Sequence, residues 1–311
     1  MTMSTLLSFF SSSTEFLVAS IEQSTQEWMD GFLPKFDPME VKTYSIERLY
    51  QEDVTVISQV EVEKLTNVRE ILFKMNPEHK LSDISPELAE HWTIHSGSIR
   101  SRNLEHDACS GDLFKFCIGS PSAGNPAAHF LRVPKGKELK SIVEAEGFNE
   151  IEIIEESLIA LVPEEKLKKK REKSQCYNFV VKSKKLDLLT AQETIETLKS
   201  YGVDKQLKIA HQVMRLVCKS GLGDVTLANF GINRETGNLV FFDTEPLHDS
   251  LLLDEEETKK FQYMETDRKR KKANSSHCAQ TGLKNLANSC KEEYPLFAKV
   301  AGVYLSHFSE A

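Results

Sequence analysis

The sequence predicts an α+β fold: an antiparallel sheet carrying one helix, then a smaller and mostly helical half, with a helical extension ahead of both. Three observations predict it. Between about residue 110 and 186, apolar runs of strand length alternate with Gly-, Ser- and Pro-containing turns, and a single helical stretch interrupts them. From 187 to 220, two stretches carry apolar residues at helical spacing and each ends at a glycine. The first 95 or so residues have a mostly helical pattern. With 311 residues, 40% hydrophobic and 28% charged, the chain is long enough for two lobes or domains, each with its own core.

Taken in order, the helical N-terminal extension is assigned to residues 1–105. Within it "SDISPELAEHW" has Ser85 as a cap, Pro86 at the first helical position and an acid in the first turn, which reads as a helix start. His91 and His95 would then lie one helical turn apart. "HWTIH" has no helix-borne Glu and no third ligand nearby, so an ordinary helix end is the better reading than a metal site.

From 106 onward the sheet begins. "GDLFKFCIGSPSAGNPAAHFLRVP" reads as two strands joined by a long loop. "KGKELKSIVEAEGF" reads as a short helix stopped at Gly147, and "NEIEIIEESLIALVPE" as two strand pieces. A further strand, "YNFVVKSK", follows the basic run "KLKKKREK". The helical half, 187–311, opens with "LLTAQETIETLKSYG" and "DKQLKIAHQVMRLVCKSG". In the latter, Leu207, Ala210, Val213, Met214 and Val217 form one stripe, and His211 adjoins it as a structural residue. The polar stretch "DEEETKKFQYMETDRKRKKANSSHC" reads as a loop, and "TGLKNLANSCKEEYPLFAKVAGVYLSHF" as one or two helices.

Composition excludes several classes of function. A net charge of -8 disfavours a protein devoted to nucleic acid, whose phosphates need a positive field. The basic runs "KLKKKREK" and "DRKRKK" read as solvated loops. No apolar run approaches the ~20 residues that span a bilayer. Six cysteines, at 109, 117, 176, 218, 278 and 290, include no Cys-x-x-Cys pair, so free thiols in a reducing, cytoplasmic compartment are expected. The Ser/Thr-rich start lacks Lys or Arg before Lys35 and is a poor secretory signal, although it also resembles the loosely defined export signals of injected bacterial effectors.

One stretch carries chemistry. "GLGDVTLANFGINRETGNLVFFDTEP", residues 221–246, holds two apolar strands around a turn, with Asp224 before them, Asn229 at the start of the first and Asp243 at the end of the second. A hairpin brings its two ends together, so Asn229 and Asp243 are expected to meet. Amide and carboxylate oxygens without His or Cys are hard ligands that suit Mg2+. An acid on the preceding loop can accept a proton from, or orient, an attacking hydroxyl.

This stretch resembles the catalytic hairpin of the protein kinase-like superfamily, with its Asp-x-x-x-x-Asn loop and following metal-binding Asp. Gly223-Asp224 and Asp243-Thr244-Glu245 are closer to the aminoglycoside and choline phosphotransferase style than to the protein-kinase style. The resemblance covers roughly residues 110–246 and implies a two-lobed fold, with an N-lobe at about 106–186 and a C-lobe at about 187–311. It implies ATP and Mg2+, with Asp224 as catalytic base and Asn229, Asp243 and Glu245 around the metal, and a hydroxyl acceptor of unstated identity. Aligning "AHFLRV" with the family's third strand places Arg132 where a phosphate-binding lysine belongs, with Lys135 or Lys137 as substitutes and Glu138, Glu144 or Glu146 as partners. Arginine there is a planar fork rather than a point charge. Gly119 and Gly124 fall where the family's glycine-rich phosphate cover belongs, without its spacing, and Leu222 stands where a bracing His is usual. These departures leave a second reading, a pseudokinase that binds nucleotide or protein without turnover.

Overall fold

The computed structural model of the chain describes residues 42–75, 80–97, 101–118, 128–162, 178–244, 251–253 and 277–309, with positions 23 and 27. The first part holds β1 (Lys42–Tyr44), α1 (Ile46–Glu52), α2 (Gln59–Lys74), α3 (Leu81–Ile84), α4 (Pro86–Ala89), β2 (Trp92–Gly97), β3 (Ser101–His106) and β4 (Asp112–Cys117). Then come α5 (Ala128–Ala145), β5 (Ile151–Ile153), β6 (Glu156–Ala160), β7 (Phe179–Lys184), α6 (Ala191–Ser200) and α7 (Val203–Ser220). The remainder holds β8 (Phe230–Ile232), β9 (Leu239–Phe241), β10 (Leu251–Leu253), α8 (His277–Cys290) and α9 (Pro295–Ser309). The architecture is α+β.

Five strands form one sheet in the order β2-β3-β4-β7-β6, every neighbour antiparallel. Strand alternation divides its faces. Leu104, Phe114, Phe116, Ile159 and Val180 pack on one side with Trp92 and with Leu65, Val68 and Leu72 of α2. Leu158, Phe179 and Val181 pack on the other with Phe130, Leu131 and Val133 of α5 and Leu49 of α1. The N-terminal helices therefore have a physical task, since α2 covers a sheet face that would otherwise expose two phenylalanines and a tryptophan to water. Its start is fixed by a capping box between Ser58 and Glu61.

Another sheet, β5-β9-β8, joins β5 to β9 in parallel and β8 to β9 antiparallel. It packs with α7, α8 and α9 around a third cluster that includes Val213, Val217, Phe230, Phe241, Leu283 and Phe297. The α7 stripe is buried as expected, and the helix stops at Gly221, whose φ of 64° suits glycine.

Three expectations need correction. "AHFLRV" is the start of α5 and not a strand. Residues 129–136 are all buried, and a helix buried all round leaves no 3.6-residue periodicity by which to tell it from a buried strand. "HWTIH" opens β2 instead of ending a helix: Trp92 is buried, Thr93 and His95 are exposed, and that is a period of two. His95 bonds across the strands to Glu105 and His91 to Asp107, so the two histidines have separate partners. Finally, position 105 lies inside β3, so the sheet begins upstream of the expected boundary. The basic runs at 166–173 and 267–272 lie outside the described residues.

Candidate functional site

The site is built from a loop that three packing contacts immobilise. After Gly221 the chain turns through Leu222 and Val225, both fully buried, into a 3-10 turn at Leu227–Asn229. One face of α8 holds this loop through positions spaced at helical intervals. Asn285 donates from Nδ2 to the Gly223 carbonyl at 2.8 Å, and Ser289 Oγ accepts from the Leu227 amide at 3.2 Å. At Gly282 the helix lies so close that an added Cβ would stand 2.0 Å from the Leu222 carbonyl oxygen. Packing thus supplies the brace at a position where Leu222 has no side-chain hydrogen-bonding group.

Asn229 is committed to the same loop. Its Nδ2 donates to the Asp224 carbonyl at 2.7 Å, and its Oδ1 accepts from Thr226 Oγ1 at 3.1 Å. The Phe242 amide donates to the Asn229 carbonyl at 3.1 Å, continuing the register that pairs Phe230 with Phe241. This register sets Asn229 across from Phe242, one residue short of Asp243, and the two side chains have different partners, Asn229 within its own loop and Asp243 toward Arg132.

Asp243 lies against a buried cation. Arg132 of α5 and Glu156 of β6 have side chains 2% and 5% exposed, and Arg132 Nε donates to both Glu156 oxygens at 3.0 and 2.8 Å. Arg132 Nη2 donates to the Phe242 carbonyl at 2.8 Å, and Nη1 stands 3.4 Å from Asp243 Oδ1. Thr244, fully buried, donates from Oγ1 to the Arg132 carbonyl at 3.0 Å. Asp243 Oδ1 is itself buried and makes no hydrogen bond, so its attraction to Arg132 is purely electrostatic. The guanidinium 3.4 Å away is the charge that compensates this buried oxygen.

Asp243, Arg132 and Glu156 open into a cavity of about 430 Å3, in the size range of small-molecule sites. Its other walls include Ser101, Asn103, Leu113 and Lys115 from β3 and β4 and Ser183 and Lys184 from β7. Lys115 is a wall residue that the motif reading does not single out. It alternates with Phe114 and Phe116, which pack on the opposite sheet face, so its side chain emerges on the face that carries Arg132. His129, at the start of α5's buried run, is held near pKa 3 by burial first and then by the charges of Lys115 and Arg132. It is a neutral imidazole beside two cations.

The other expected residues divide into three groups. Asp224 and Asn229 share one loop but do not line the cavity. Lys135 is fully buried, bonded to the Ser220 carbonyl at 2.6 Å and to Glu138 at 3.0 Å, so its ammonium ties α5 to the end of α7 and does not line the cavity either. Lys137 pairs with Asp53 at 2.6 Å, and Glu146 pairs with Arg215 and Lys219. The acid opposite Arg132 is therefore Glu156, which precedes no recognisable motif and lies far along the chain from its partner. Gly119, Gly124 and Glu245 lie outside the described residues. Among the described residues no group of three or more His, Cys, Asp or Glu side chains forms a metal cluster, and no helix is long and apolar enough to cross a membrane.

No family model matches the chain, and no curated protein matches it. Among solved structures it is similar to the GDP and kanamycin complex of APH(2")-IIia, at 8% identity over 77% of this chain and 88% of that one, with a TM-score of 0.25. A superposition that loose carries no weight for chemistry, and the functional reading rests on this chain's own geometry.

Proposed function

We propose that the chain is a divergent kinase-like phosphotransferase, two-lobed, that moves the ATP γ-phosphoryl to a hydroxyl acceptor in the presence of Mg2+. The observation that carries the reading is Asp243, its side chain 34% exposed at the end of a rigid hairpin, lining one cavity with Lys115 and Arg132. The five-stranded sheet, from β2 onward, would form the N-lobe, and α6 to α9 with the β5-β9-β8 sheet the C-lobe.

In this reading the triphosphate enters the cavity with Lys115 as its cation. Lys115 lies on the third strand of the β2-β3-β4 meander, the strand on which the family presents its lysine. Arg132, held by Glu156 and Phe242, keeps another positive charge fixed beside the transferring group without reorganisation. Asp243 and Asn229, with Glu245, would supply hard oxygen donors for Mg2+, and Asn229 would have to release Thr226 and the Asp224 carbonyl to do so. The metal would neutralise charge on the phosphates. Asp224 would orient the acceptor hydroxyl and accept its proton, from a loop that α8 keeps rigid.

One observation favours the alternative, a pseudokinase. Asp243 already has a guanidinium 3.4 Å away, which competes with a metal for the same carboxylate. The two readings separate in one experiment: ATP binding with and without Mg2+, together with hydrolysis and transfer to a broad panel of hydroxyl acceptors. Metal-dependent binding with turnover supports the enzyme, metal-dependent binding without turnover supports the pseudokinase, and no nucleotide binding removes the enzyme and leaves the pseudokinase only as a protein-binding module.

A further inference from the structure

The segment that runs from β1 to Thr55 touches both elements that carry the Arg132–Glu156 pair, α5 and β6. β1 pairs in parallel with β10, the strand that follows Asp243 in the chain. Leu49 of α1, fully buried, packs with Phe130, Leu131 and Val133 of α5 and with Leu158 of β6. Asp53, at the end of α1, receives Lys137 of α5 at 2.6 Å, and Lys137 also donates to the Glu52 carbonyl at 2.7 Å. The backbone then joins the edge of the large sheet: Leu158 donates to the Asp53 carbonyl at 3.0 Å and Thr55 donates to the Leu158 carbonyl at 2.7 Å.

These contacts converge on one geometry. Leu158 lies two residues from Glu156 on β6, so both side chains project from the same sheet face, the face on which α5 rests. Val133 and Lys137 lie one helical turn apart, next to Arg132. The segment therefore grips α5 and β6 at the same end, where the Arg132–Glu156 pair spans them. An edge strand needs cover, but a single bridge at Leu158 would suffice for that. A buried leucine and a carboxylate 2% exposed that both engage α5 exceed what edge protection requires.

We propose that Leu49 and Asp53 are positioning residues of the candidate site, which fix α5 against β6 and so hold Arg132 at its distance from Asp243. The consequence for nucleotide binding rests on the phosphotransfer reading, whereas the placement of α5 does not.

The test uses the full chain and the variants Leu49→Ala, Asp53→Asn and, as a control, Leu65→Ala, which empties the cluster on the opposite sheet face. Amide hydrogen exchange is followed over 128–145 and over 203–220, and ATP affinity in Mg2+ is measured by calorimetry. Leu49→Ala and Asp53→Asn should speed exchange in 128–145 by about tenfold or more while 203–220 keeps its protection. Leu65→Ala should lower the urea midpoint without that selective effect. ATP affinity should fall in the first two variants and hold in the third. Unchanged exchange in 128–145 in both variants, or an equal effect from Leu65→Ala, overturns the proposal. Wild-type protein that binds no ATP sinks the phosphotransfer reading alone, and the exchange result then decides the positioning claim.

Discussion

Replacing Gly282 by alanine tests whether α8 is the brace of the loop that carries Asp224. In an open helix the change is favourable, because alanine exceeds glycine in helix propensity by about 0.8–1.0 kcal/mol. Here the new methyl would stand 2.0 Å from the Leu222 carbonyl oxygen and 2.9 Å from Val217 Cγ1. The first neighbour is backbone and cannot swing away, so either α8 or the loop must shift by about an ångström. Overpacking of this kind costs about 1–3 kcal/mol and more when backbone must move. Taking the upper end and subtracting the propensity gain leaves a net loss of about 2 kcal/mol. Gly302 of α9 is the matched control, since a Cβ there meets nothing within 4 Å. Urea unfolding of both variants should therefore give opposite signs, Gly302→Ala raising the midpoint and Gly282→Ala lowering it. Because the strain falls on the residue beside Gly223-Asp224, any nucleotide-dependent turnover should fall in Gly282→Ala even well below its unfolding midpoint. A Gly282→Ala protein as stable as Gly302→Ala would refute the close approach and with it the bracing role of α8.

Glu156→Ala should destabilise the fold by about 3–5 kcal/mol, measured by urea unfolding, because it strands a guanidinium 2% exposed, while Arg132→Met with Glu156→Leu should recover part of that loss. Lys115→Met should weaken ATP binding at least about tenfold in a calorimetric titration, the loss of one fixed charge at a phosphate, while the urea midpoint moves little. Stability should fall as pH drops below the ordinary histidine value of 6.5. Burial holds His129 near 3 and His211 near 4, so the unfolded chain takes up protons that the folded chain refuses. Each contributes a slope of about 1.4 kcal/mol per pH unit between 6.5 and its own folded value. Urea midpoints flat from pH 7 to 5 would contradict their burial as neutral groups.

How much of the fold is legible in the sequence depends on whether the signal is local. The α7 stripe, its glycine stop and the strands flanking "RETGN" rest on neighbours within one or two turns of the chain, and they form as read. The start of α5 escapes a local reading because a helix buried on every side has no polar face. That error propagates. β2 and β3 are short and polar, as "WTIHSG" and "SRNLEH" show, and with both passed over, the third strand falls on "AHFLRV" instead of "DLFKFC". Arg132 is thereby drawn to a lysine's position, while Lys115 sits on the true third strand. An alternating pattern over 92–117 is the signal that finds it. Glu156 and Gly282 carry no such signal. Glu156 is identified only by its contact with Arg132, and Gly282 reads as an ordinary weak point in a helix until the Leu222 carbonyl is placed against it.

The central claim is that Asp243 belongs to a site for a nucleotide and its metal. Calorimetric titration of ATP into wild-type protein and Asp243→Ala, each with Mg2+ and with a chelator, tests it most directly. Wild-type binding should strengthen with Mg2+, and in the variant the metal should make no difference. Wild-type protein that binds no ATP, or a variant with the same metal dependence as wild type, would contradict it.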